Sequence, residues 1–172
     1  MTPGRLFLWT AGMVVAAFVV PQGAPILGMH LAGWFWNALR LTAPFLSQVG
    51  DVIGGALGGA LVGLLQALPL RRPRGRWVGI AALAGAGVGA AHAVYAPLAI
   101  LAAPVAGALA GFVQAPWNPR WPRAQALAAA WVAVAAMLPF PRWVSAAFSL
   151  GAAVIGAWGI AYSAPPQVPS VR

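Results

Sequence analysis

The chain has 172 residues, 62% of them hydrophobic and 6% charged, with ten basic residues, all arginine, and one acidic residue, Asp51. A water-soluble domain carries roughly a quarter Asp, Glu, Lys and Arg, so this composition excludes a soluble globular fold and makes lipid the main solvent. One carboxylate, no cysteine and two histidines leave little material for acid–base, nucleophilic or metal-assisted catalysis, and no enzyme is expected. The net charge of +9 sits on arginines grouped between apolar segments, which points to membrane topology and not to nucleic acid.

The chain opens with Arg5 and an apolar run over 6–21, a layout shared by signal peptides and first spanning helices. Pro25 directly after Ala24 is a poor cleavage context, so a retained helix is expected. Over 28–41, His30, Gly33, Asn37 and Arg40 fall on one helical stripe, with Leu31, Trp34, Phe35 and Leu39 covering the rest. That pattern, with Trp34 and Trp36 beside it, predicts a helix lying in the outer interface; the alternative is a seventh span. Further spans are expected over 52–68, 77–95, 98–114, 124–138 and 144–162, each just long enough to cross a core of about 30 Å. The predicted fold is therefore an all-α polytopic integral membrane helix bundle of about six transmembrane helices plus one interfacial helix, in a single domain over 1–172.

Arg71, Arg72, Arg74 and Arg76 fill one link between spans, and Arg120 and Arg123 fill the link two spans later. The positive-inside bias puts both links in the cytoplasm, together with Arg5 and Arg172 and hence both termini, and leaves Arg40 and Arg142 outside. A bacterial inner membrane is the expected location. The motif LVGLLQ at 61–66 returns as LAGFVQ at 109–114, 48 positions later. Each copy is followed by a link rich in Trp and Arg and by a helix of small residues, which predicts a parallel two-helix repeat over 52–95 and 98–138.

Helices in lipid associate through close packing, and glycines recur accordingly. Gly55, Gly59 and Gly63 form one strip, Gly54 and Gly58 a neighbouring one, and Gly85 with Gly89 and Gly107 with Gly111 form others. These strips serve packing within the chain or against partner subunits. His92 has Gly89 and Gly85 beneath it, a bare surface wide enough for haem or a chlorophyll-type pigment, with His30 the other candidate ligand. Asp51, Arg40 and Arg142 share the outer side with the histidines, as an ion pair or a ligand site. The cluster Arg71, Arg72, Arg74 and Arg76 suits anionic lipid or an acidic partner. Trp34, Trp36, Trp77, Trp117, Trp121 and Trp143 are expected to form an interfacial belt. No metal site is expected.

The function these residues favour is a non-catalytic accessory or scaffold subunit of a larger membrane complex, with the bilayer and other membrane subunits as partners and no nucleic acid. One alternative is a solute-binding component of a small-molecule transporter, with 22–42 folding over an outward cavity. Another is a pigment- or haem-binding subunit using His92.

Overall fold

The computed structural model describes residues 3–39, 46–70, 74–116, 118–137, 150, 151, 154 and 155. They form α1 (Pro3–Leu39), α2 (Leu46–Leu70), α3 (Arg74–Val94), α4 (Leu98–Gln114) and α5 (Arg120–Met137), and no strand occurs among them. Two stretches, Leu46–Ala67 and Gly75–Val94, are long and apolar enough to cross a membrane, and α4 is a shorter apolar helix. Of the span expected over 144–162, the four described residues are helical, with Gly151 against the Trp131 indole.

The first two elements differ from the sequence expectation. A span over 6–21 and a separate interfacial helix over 28–41 are replaced by one helix of 37 residues, about 55 Å long at 1.5 Å per residue. Pro21 and Pro25 lie inside it. A proline removes one backbone donor from the ladder, whereas a break would release about four N–H and four C=O groups at the new ends. Continuity thus leaves fewer polar groups unpaired. Gly28 and Ala32 are buried while His30 and Asn37 are exposed, so the polar stripe of this segment faces away from α2.

Small residues set the helix spacing. Gly12 lies against Leu65, and Gly28 against Gly50 and Gly54, so α1 runs antiparallel to α2. On the neighbouring strip of α2, Gly55 meets Gly85, Gly59 meets Ala81, Gly63 meets Val78 and Ala81, and the backbone of Asp51 meets Gly89. A turn through Tyr95 and Pro97, in which the Leu98 amide donates to the Tyr95 carbonyl at 2.8 Å, brings the chain into α4. There Gly107 meets Gln125 and Ala129, and Gly111 meets Pro122 and Gln125, across to α5. Gly59, Gly63, Val78 and Ala81 in the first hairpin thus correspond to Gly107, Gly111, Pro122 and Gln125 in the second, at offsets of 48 on the first helix and 44 on the next.

α5 starts four residues before the expected 124 because Asn118 caps it: the Arg120 amide donates to Asn118 Oδ1 at 3.0 Å, with Pro119 in the turn just before the helix, where its missing N–H is harmless. The buried hydrophobic residues are alanines plus Trp9, Trp77 and Trp121, whereas Val15, Ile26, Leu83, Leu101, Val105, Leu109 and Phe112 are exposed. Large aliphatic side chains outside and small ones inside reverse the arrangement that water imposes.

Candidate functional site

Two polar clusters occupy opposite ends of the bundle. At the end where α2 passes to α3 and α4 passes to α5, Trp9, Ala67, Trp77, Ala115 and Trp121 form one buried cluster. Of the tryptophans expected to form an interfacial belt, Trp77 and Trp121 are packed inside the bundle, 5% and 2% exposed. Their ring centroids lie 6.0 Å apart. A buried indole N–H needs an acceptor, and each hairpin supplies one from the glutamine that ends its repeat motif. Trp77 Nε1 donates to Gln66 Oε1 at 3.3 Å, and Trp121 Nε1 donates to Gln114 Oε1 at 3.1 Å.

Gln125 joins the two hairpins. Its Nε2 donates to Gln66 Oε1 at 3.0 Å, and Gln66 Nε2 returns a bond to Gln125 Oε1 at 3.3 Å. The reciprocal amide pair therefore ties α2 to α5. Trp9 Nε1, in the same cluster, is buried without a hydrogen-bond partner. Sequence reasoning singled out Gln66 and Gln114 only as repeat markers and passed over Gln125. The usable signal was a polar amide within an apolar helix, a group that demands a partner.

Exposed arginines surround this cluster. Arg76, Arg120 and Arg123 are exposed, Arg74 opens α3, and Arg71 and Arg72 lie outside the described residues. Arg76 Nη2 donates to the Val113 carbonyl at 3.4 Å, spanning from the start of α3 to the end of α4.

At the other end, His92 Nδ1 and Asp51 Oδ2 are 3.1 Å apart, with side-chain exposures of 44% and 27%. The two atoms are within hydrogen-bonding distance, with the ring nitrogen's role set by the imidazole tautomer. The sequence placed these residues on one side but paired Asp51 with Arg40 or Arg142, both outside the described residues. His30 is exposed on the face of α1 turned away from α2 and does not join the pair. The open glycine surface expected beneath His92 is also corrected: Gly85 and Gly89 are covered by the backbone of α2 at Gly55 and Asp51. No flat macrocycle fits there. Among the described residues, no group of three or more His, Cys, Asp or Glu could hold a metal ion.

The glycine strips Gly55, Gly59, Gly63, Gly85, Gly89, Gly107 and Gly111 are all occupied within the chain. They build the bundle and are not open for docking. Gly75, Gly79 and Gly87 on α3 differ, since among the described residues a Cβ there would meet nothing within 4 Å. No protein family, curated protein or solved structure matches the chain.

Proposed function

We propose that this protein is a non-catalytic, multi-spanning membrane subunit that serves as an accessory or scaffold in a larger membrane assembly. The observation that carries the membrane part is the inverted packing: alanine, glycine and indole inside, leucine, valine and phenylalanine outside. Among lipid tails, apolar outer side chains cost nothing, and helices gain from the close approach that glycine permits. About six spans with both termini in the cytoplasm remain the arrangement that the arginine distribution favours.

The repeat sharpens this reading. The face of α2 that α1 covers carries Gly50, Gly54 and Gly58, all buried. The corresponding positions of α4, offset by 48, are Leu98, Ala102 and Ala106, flanked by exposed Leu101, Val105 and Leu109. Glycine stands where a helix covers the surface and leucine or valine where lipid would. Glycines uncovered among the described residues include Gly4 and Gly33 on α1 and, on the outer face of α3, Gly79 and Gly87, which flank Leu83, itself 76% exposed. Glycine in a helix costs about 0.5–1 kcal/mol relative to alanine. Among the described residues nothing offsets that cost here, whereas a neighbouring subunit's helix would.

The scaffold role further rests on the chemistry of the chain, whose one acidic side chain is held by His92. Extraction from native membranes in mild detergent, followed by native mass spectrometry, tests the proposal. A stoichiometric membrane partner is expected, and a lone small species under conditions that keep other complexes intact would refute it.

A further inference from the structure

We infer that Asp51 and His92, with the amide oxygen of Gln48 beside them, form a binding site for a first-row divalent metal ion such as zinc at the end of the bundle opposite the arginines. The site is independent of the scaffold role proposed above and adds a ligand to it. α2 and α3 pack in a regular antiparallel register, with Gly59 on Ala81, Gly55 on Gly85 and the Asp51 backbone on Gly89. One further turn in each helix sets Gln48 opposite His92, so positions 48, 51 and 92 converge at the end of the α2–α3 seam.

The polar groups gathered there call for a cation. Asp51 carries the one acidic side chain of the chain, and among the described residues its side-chain partner is His92 alone. Gln48 Oε1 is buried and has no hydrogen-bond partner, a condition that folded chains seldom leave unmet. A carboxylate and an amide oxygen accept, and a neutral imidazole offers a lone pair on one nitrogen. One metal ion satisfies the three lone pairs together.

The spacing fits. His92 Nδ1 and Asp51 Oδ2 lie 3.1 Å apart, and two ligand atoms each about 2.0–2.1 Å from one ion, at angles between octahedral and tetrahedral, are about 2.8–3.4 Å apart. The pair therefore closes on a metal with little movement, and side-chain exposures of 44% and 27% leave it reachable from solution. An imidazole donor selects zinc, nickel or copper over magnesium and calcium, which take oxygen ligands. No third His, Cys, Asp or Glu joins the pair among the described residues, so Gln48 and water complete the coordination and the ion exchanges readily. Arg76 lies sixteen residues before His92 on α3, about 24 Å along the helix, well beyond the roughly 8 Å over which charges stay coupled at physiological salt.

The test titrates zinc chloride into the full chain, purified in detergent without a polyhistidine tag, by isothermal calorimetry near neutral pH. One ion per chain should bind, and zinc should raise the midpoint of thermal unfolding because it bridges α2 and α3. His92→Gln and Asp51→Asn should each weaken binding at least about tenfold, Gln48→Leu should weaken it by a smaller factor, and His30→Gln should leave it unchanged. Cobalt gives a reading on the unaltered chain that does not depend on any variant folding: its visible ligand-field bands should saturate and be displaced by zinc but not by magnesium. Absence of saturable binding would leave a hydrogen bond only and overturn the inference. So would displacement of cobalt by magnesium, an affinity unchanged by the substitutions at 48, 51 and 92, or a loss confined to His30→Gln, which would move the ion to α1.

Discussion

Gly59 and Gly87 sit in neighbouring glycine-rich helices yet answer to opposite constraints. A Cβ at Gly59 would run into the Ala81 carbonyl oxygen, a backbone atom that cannot turn aside. At Gly87 there is open space. Gly59→Ala should therefore destabilise the protein by about 1–3 kcal/mol or more through forced helix separation, while Gly87→Ala should stabilise the isolated subunit by about 0.5–1 kcal/mol. Thermal unfolding in mild detergent separates the two. Equal behaviour would mean that glycine spacing does not set the α2–α3 distance. The sequence showed that glycines were spaced for packing but not which strip faced what. Gly85 and Gly89 read equally well as a floor beneath His92, because periodicity places residues on a face without saying what covers it.

Between elements, the amide pair of Gln66 and Gln125 holds what the glycines bring together. Gln66→Leu leaves the buried Trp77 indole and the half-buried Gln125 amide without their Gln66 partner, a loss of about 1–3 kcal/mol for a group fully orphaned and less where water or the lipid-embedded unfolded state supplies other partners. Replacing both glutamines removes the orphaned amides together. The Gln66→Leu, Gln125→Leu double variant should thus be more stable than the sum of the single losses implies, by about 0.5 kcal/mol or more. Additive losses in a double-mutant cycle would show that the pair does not couple α2 to α5.

Element boundaries were legible where chemistry marked them and were misread elsewhere. The motif ending in Gln66 and Gln114 marked the two glutamines that accept from Trp77 and Trp121, and the apolar run over 98–114 agrees with α4. The Pro21 to Pro25 segment looked like a break, but two missing donors are a smaller loss than two new helix ends. Asn118 and Pro119 were a cap and turn signal hidden among arginines and tryptophans, whose positions suggested headgroups. The polar contact between hairpins was illegible because Gln125 occupies the position that Ala81 holds in the first hairpin, so the repeat itself concealed it.

Across the whole molecule, one solvent explains the distribution of side chains. Among the described residues, the exposed large side chains are mostly leucine, valine and phenylalanine, while the interior is built from alanine and glycine with Trp9, Trp77 and Trp121 at one end. The chain lacks cysteine, so single cysteines can carry a spin label without background. Labels introduced through Leu83→Cys, Leu101→Cys and Leu109→Cys in a protein reconstituted in liposomes measure the surrounding solvent directly, by collision with dissolved oxygen and with a water-soluble nickel chelate. All three positions should be open to oxygen and closed to the chelate, with labels replacing Arg76 or Arg123 showing the reverse. Chelate access at Leu83, Leu101 and Leu109 as high as at the arginine positions would mean that water surrounds this bundle, contradicting its place in a membrane.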